Sequence, residues 1–366
     1  MNEYGLYLPK FFDFGFIDKS LNSFSKFLIN LIPTEGMIHR LNGGLTKIVN
    51  NDNDNIIKDI LPARYLLENK RYKRPTKYGV KNFTTIFASI GCPFKCIFCS
   101  NKNQGIIYRD IDGVIEEIKQ VKKDYNISHF VFLDDTLTIN KDKSIELCEK
   151  ILDNKLNITF EGSTRANLVD DKLMGLLAKS GMTGIGFGLE TADEDIRESI
   201  KKNVKTSSYV EANKLANKYE ILTQNSCIIG LPGETIDSIR KTLYFLRTND
   251  SIKQANFSIA TPYPGTELYK MAKNNQNGLK LLTEDYTQYK RYGSAVMDVG
   301  ELKAKDLVDI QKECFGSVYF PRFRWKYTIM RSGILGLLSD LFKITKLILT
   351  GKTRFLFTKN LKGEKC

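Results

Sequence analysis

Between residues 83 and 260, β-branched and apolar runs alternate with amphipathic stretches, and this alternation limits the fold more than any other feature of the chain. Strands are predicted at 83–90, 129–135 (HFVFLDD), 158–165, 184–190 (GIGFGLE), 222–231 and 255–260. Helices are predicted at 110–124, 141–153, 170–180, 193–201, 207–219 and 235–248. Six strand–helix units require a parallel sheet covered by helices, as an open sheet or an incomplete barrel. A parallel barrel gathers its reactive groups at the C-terminal ends of its strands. The residues that close each predicted strand are therefore the first candidates for chemistry.

Composition supports a globular chain of this size. The 366 residues are 42% hydrophobic and 27% charged, which excludes collagen-like, disordered and disulfide-scaffold classes. The amino-terminal stretch MNEYGLYLPK has no early basic cluster, and no run of eighteen apolar residues occurs, so a cytoplasmic protein is expected. The net charge of +13 is uneven: residues 317–366 carry +9, residues 62–81 carry +6, and the remainder carries −2. A nearly neutral body with two basic segments speaks of docking, and no nucleic-acid partner is expected.

Three of the seven cysteines fall within eight residues, in the loop SIGCPFKCIFCS after the first predicted strand. The spacing of Cys92, Cys96 and Cys99 suggests a metal site. Structural zinc wants four ligands, and neither histidine, His39 or His129, lies near the loop. Haem attachment needs histidine after the third cysteine, where Ser100 stands. A 4Fe–4S cluster held by three thiolates keeps one iron open to a small ligand. Cys148, Cys227 and Cys314 sit in apolar contexts and read as core fillers.

The segment from Cys92 to Cys99, with aromatic Phe98 before the third cysteine, resembles the signature loop of the radical S-adenosylmethionine superfamily. The resemblance implies a partial (β/α)6 TIM-like barrel, with an N-terminal connector and a helical C-terminal extension. It also implies a 4Fe–4S cluster on Cys92, Cys96 and Cys99 and S-adenosylmethionine as cofactor. Such enzymes cleave that cofactor reductively and abstract hydrogen from an unactivated C–H bond, with flavodoxin or ferredoxin as electron donor. The cofactor contacts it implies are Phe98, Asp134 or Asp135 toward the methionine amino group, Arg165 toward its carboxylate, and Glu190 toward the ribose. Ile228, Gly230 and Pro232, in the segment IIGLPGET, are expected near the adenine. The bland alternatives are a helix cap for one aspartate, a surface charge for Arg165 and a structural role for Glu190. No acid–base or radical-relay residue is singled out by position.

The PYPGT turn at 262–266 resembles the branch fused to a cobalamin-binding domain. Residues 36–67 resemble the connector from that domain, yet the DxHxxG motif of its cobalt ligand is absent. The chain therefore resembles that branch without most or all of the cobalamin domain. The cofactor is lost, supplied by a separate cobalamin-binding chain, or absent through truncation. The alternative to an enzyme is an inactive iron–sulfur remnant. The expected division is 1–80 (N-terminal segment and remnant connector), 81–275 (barrel core) and 276–366 (basic helical extension). Within the last, apolar residues from Ile334 to Ile348 recur at helical spacing among lysines, after an aromatic and basic lead from Phe320 to Trp325. Residues 320–350 therefore read either as a helix seated on the inner membrane face or as one packed on the barrel. Substrate classes among similar proteins are lipids, peptides and natural-product intermediates.

Overall fold

The computed structural model describes residues 14–16, 37–41, 44–48, 61–101, 103, 105–319, 338 and 342. The chain forms two compact units, 1–60 and 61–366. In the first, Phe14–Phe16, Met37–Leu41 and Gly44–Ile48 make an antiparallel three-stranded sheet, with Phe14 opposite His39 and Met37 opposite Ile48.

The second unit is built on one seven-stranded sheet whose spatial order follows the chain. Its strands are β1 (Lys73–Thr76), β2 (Gly79–Ile86), β3 (His129–Phe132), β4 (Thr159–Thr164), β5 (Met182–Glu190), β6 (Leu222–Ile229) and β7 (Ala255–Ile259). β1 pairs antiparallel with β2 across a hairpin, and every later pairing is parallel. This is the expected partial (β/α)6 barrel with one antiparallel strand added at its edge.

The crossovers are α1 (Ile111–Tyr125), α2 (Lys141–Asp153), α3 (Asp171–Lys179), α4 (Glu194–Ser199), α5 (Thr206–Lys218) and α6 (Ile236–Thr248). They begin where the sequence supplies caps. Asn140, Asp170, Asp193 and Thr235 each accept a bond from a first-turn N–H, and Thr235 with Ser238 closes a capping box. Their apolar stripes meet the outer face of the sheet. In β5, Thr183, Ile185, Phe187 and Leu189 are buried beneath helices, while Gly184, Gly186 and Gly188 face inward and stay half-buried. Cys148, Cys227 and Cys314 are all buried in this core, and burial pushes the Cys148 thiol up to about 11.

Two expectations shift. The first strand ends at Ile86, and Ser89–Ile90 instead pairs with Ile107–Tyr108 as a separate ribbon. The break between the units falls before residue 61, earlier than the expected 80/81 boundary. The reason is a buried ion triad: Glu117 on α1 pairs with Arg64 at 2.6 Å and with Arg109 at 2.6 Å, and Arg64 also donates to Thr84 Oγ1 and Thr85 O on β2. Beyond the barrel, α7 (Glu267–Lys273) and α8 (Ala304–Tyr319) follow. α8 packs on β7, where Phe315 meets Phe257 edge-on and Gln311 donates to Phe257 O. The tail from 320 lies outside the described residues except for Leu338 and Phe342, both exposed. Among the described residues, no helix is long and apolar enough to cross a membrane.

Candidate functional site

The cysteine loop leaves the barrel at the C-terminal end of β2, and its neck is narrow. The ribbon Ser89–Ile90 with Ile107–Tyr108 forms the stem. Above it, Gly91 adopts φ +105°, and a Cβ there would overlap the carbonyl oxygen of Gly105. Asp134 and Asp135, just past β3, hold this stem. Asp134 accepts from Ala88 N at 3.0 Å and from the Ser89 N and Oγ at 2.6 Å each. Burial nonetheless raises its carboxyl above the ordinary value. Asp135 accepts from Gly91 N at 2.9 Å and Asn101 Nδ2 at 2.7 Å. Farther along, Ile97 bridges two backbones: its N–H donates to Ile200 O and its carbonyl accepts from Leu268 N.

This loop presents all three cysteines to one cavity of about 280 Å³, whose walls also include Phe98, Asp135, Arg165 and Glu190. Phe94 stacks on Arg165, with the guanidinium carbon 3.7 Å from its ring centroid. Arg165 Nη1 points to Cys96 Sγ at 3.8 Å, Nη2 donates to Lys202 O, and Nε is buried without a hydrogen-bond partner. Arg165 is thus a buried cation in the cavity wall, and the surface-charge reading does not hold. Burial pushes the Cys99 thiol up, against the Asn101 N–H that favours its thiolate, and Cys96, Cys92 and Asp135 add to the rise.

Glu190 reaches the cavity through an irregularity. β5 slips register against β6 between Gly188 and Glu190, and Glu190 takes φ +62°. A bulge with a left-handed residue turns a side chain out of the regular alternation, and it is a costly conformation for anything but glycine. Glu190 Oε1 is 2.9 Å from Lys202 Nζ, and both side chains are buried. A Cβ at Gly188 would overlap Glu190 Oε1, so the pair needs glycine at that position. Burial alone would lower the Lys202 pKa, but the charge and hydrogen bond of Glu190, with Tyr209 and Cys96, together outweigh it and raise it. Tyr209, fully buried, donates to Gly188 O at 2.7 Å. Arg197 ties the return segment by donating to Thr191 O, Val204 O and Thr206 Oγ1, which places Lys202 under Glu190.

The structure therefore brings Cys92, Cys96, Cys99, Phe98, Asp135, Arg165 and Glu190 into one site. Asp134 is not in its lining; it braces the stem instead. Ile228, Gly230 and Pro232 are also outside that lining, and β6 contributes Ser226 there. Their turn is held by Glu234, a fully buried carboxyl that accepts from Gly230 N at 2.5 Å and Leu231 N at 3.3 Å. Burial pushes Glu234 up to about 8. Sequence reasoning missed Lys202, Tyr209, Arg197 and Glu234. A lysine in the run Lys201-Lys202 looks like solvated charge, and only the path of the chain after α4 carries it inside.

The donor set fits a cubane cluster. Three thiols from one short loop face a shared cavity, and a buried guanidinium with an uncommitted N–H stands beside them. Among the described residues no three His, Cys, Asp or Glu side chains form a group suited to a single metal ion.

Residues 86–246 match the family described as the Radical SAM superfamily. An uncharacterised methyltransferase of Pyrococcus horikoshii is 33% identical over 262 residues, 71% of this chain and 55% of that protein. The anaerobic magnesium-protoporphyrin IX monomethyl ester cyclase of Rubrivivax gelatinosus is 28% identical over 223 residues, 60% of this chain and 39% of that one. The chain thus spans about half, or less, of the length of these relatives. Among solved structures, the radical S-adenosylmethionine methyltransferase TsrM from Kitasatospora setae, with cobalamin and a 4Fe–4S cluster bound, superposes with TM-score 0.60 at 15% identity. The match covers 75% of this chain and 58% of that one. The cobalamin-dependent S-adenosylmethionine radical enzyme OxsB, in its apo form, gives TM-score 0.65 at 15% identity, over 92% and 54%. These two likenesses establish the fold.

Proposed function

Residues 86–246 belong to the radical S-adenosylmethionine superfamily, and we propose that the chain is an enzyme that cleaves S-adenosylmethionine reductively to modify an unactivated C–H bond. The observation that carries this reading is the single cavity shared by Cys92, Cys96, Cys99, Arg165 and Glu190. When bound, the cluster supplies the electron that breaks a carbon–sulfur bond of S-adenosylmethionine, giving the 5′-deoxyadenosyl radical.

The protein's own part is placement and shielding. Cys92, Cys96 and Cys99 hold the cluster. Arg165, fixed by Phe94 and by Lys202 O, directs its free N–H toward the cofactor carboxylate. Glu190 accepts from the ribose hydroxyls, held in place by its contact with Lys202. Asp135 receives the methionine amino group while its other contacts keep the loop in register. Phe98 excludes water beside the third cysteine. An electron donor of the flavodoxin or ferredoxin class completes the reaction.

Methyl transfer is the second reading, favoured by the relatives named as methyltransferases. Cobalamin would then be the methyl carrier, bound by a domain or by a partner chain.

Anaerobic reconstitution tests the main reading. About four irons per chain and reductant-dependent release of 5′-deoxyadenosine are expected. Cys96→Ala should lose both. A loaded cluster with no cleavage, with or without added cobalamin, would overturn it in favour of an inactive iron–sulfur protein. Cobalamin-dependent formation of a methylated product separates the second reading from the first.

A further inference from the structure

Beyond the cysteine cavity the barrel lumen stays open. Parallel barrels normally fill this space with layers of branched side chains. Here the inward positions of β5 are glycines. A Cβ at Gly184 would meet Glu161 Cγ at 3.0 Å, and one at Gly186 would meet Ser163 Oγ at 2.7 Å. The bare strand leaves room for a second cavity of about 530 Å³, bounded by Arg74, Val131, Leu133, Glu161, Leu222 and Gln224. Ser163, Gly186 and Ser226 line both cavities, so the two adjoin.

The acids in this second cavity are already paired. Glu161 Oε2 accepts from Arg74 Nε at 2.8 Å and lies 2.7 Å from Nη2, while Oε1 lies 3.5 Å from His129 Nε2. Burial would raise the Glu161 carboxyl, but His129 and Arg74 outweigh it and hold it below the ordinary value. Asp134 is spent on the loop stem. What remains uncommitted is donors. Gln224 Nε2 and the Thr223 hydroxyl are buried without hydrogen-bond partners. Arg74, 42% exposed, uses Nε and Nη2 on Glu161 and leaves Nη1 open. A buried N–H without an acceptor costs about 1–3 kcal/mol, which an incoming oxygen recovers.

We propose that this far end of the lumen is the anchor for a carboxylate on the substrate, bound by Arg74 and Gln224. The inference rests on the reading that the cysteine cavity holds the reacting cofactor. From Glu161 to Arg165 the strand advances four residues, roughly 13 Å at ~3.3 Å per residue. The attacked C–H bond therefore lies about that far from the anchored acid, in an extended molecule whose middle passes Ser163, Gly186 and Ser226. Arg74 belongs to β1, the hairpin strand outside the six parallel ones, so the edge strand contributes directly to the anchor.

The probe is octanoate, titrated by calorimetry into the full reconstituted chain and compared with octylamine and octanol. Octanoate is expected to bind at least ~10-fold more tightly than either, a difference of about 1.4 kcal/mol. Arg74→Met and Gln224→Leu should each weaken octanoate by about 5- to 30-fold while leaving octanol unchanged. Equal binding of the acid, amine and alcohol overturns the proposal, as does no octanoate binding at millimolar concentration. Undiminished octanoate binding to both variants overturns it too. Cofactor cleavage is measured on the same unmodified preparation. Its absence overturns the enzymatic reading alone, whereas missing acid selectivity with cleavage intact overturns the anchor alone.

Discussion

Lys202 and Glu190 form the most exposed weakness of the site, because each is buried and each depends on the other. Lys202→Met keeps the length of the side chain but leaves an unpaired buried carboxylate, at a cost of about 3–5 kcal/mol. Urea denaturation should show that loss, and the affinity for S-adenosylmethionine should fall with it. An unchanged midpoint would mean that Glu190 finds water when Lys202 is gone. Glu234 behaves differently, since its carboxyl titrates near 8 in the fold against an ordinary 4.5. The folded chain then holds this proton more tightly than the unfolded chain. Stability accordingly falls as pH rises from about 4.5 to about 8, and the contribution levels off above that. Glu234→Gln should remove the slope, as read from denaturation midpoints at pH 6, 7, 8 and 9. Retention of the slope in the variant would place its origin elsewhere.

Where single elements are concerned, the cysteine loop works because its stem is pinched. Gly91 and Gly105 cross so closely that Gly91→Ala would push a Cβ into backbone, at φ +105° besides. The expected result is a loss on the order of 2 kcal/mol or more. Iron content after reconstitution should fall by half or more, because the loop can no longer close over the cluster; full loading would refute that view of the neck. The loop and its cysteines were legible in the chain, as were all six parallel strands and their helices, since periodicity and caps are local signals. The stem was not. Ser89–Ile90 looks like a continuation of its strand, and only the distant carboxylates of Asp134 and Asp135 separate the two.

For the molecule as a whole, the segment 61–80 belongs with the barrel although it was expected in the N-terminal connector. Its hairpin strand extends the sheet, and the triad Arg64–Glu117–Arg109 fastens it to α1. Glu117→Ala would leave two buried guanidinium groups facing each other, so a loss of about 3–5 kcal/mol is expected in urea denaturation. A change under ~1 kcal/mol would show that the two arginines rely on their carbonyl and hydroxyl acceptors instead. The basic residues of this segment divide accordingly. Arg64 and Arg74 face inward to structural and lumenal acids, while Lys70, Arg71 and Lys73 stay exposed. The docking role expected of the charge of +6 falls to the exposed subset.

Order along the chain was enough to specify a parallel sheet covered by helices and the position of the cysteine loop, and the family resemblance added the barrel and the three thiols as expected cluster ligands. Strand periodicity, helix capping and cysteine spacing are written within a few residues of where they act. Tertiary structure alone decided which charges point inward. Lys202, Glu161 and Arg74 look alike as surface residues in one dimension. Their placement at the lumen depends on a bulge in β5, on glycines that vacate the lumen, and on a hairpin strand arriving from outside the repeating units. Such pairings join residues up to 87 positions apart, and no local pattern reports them.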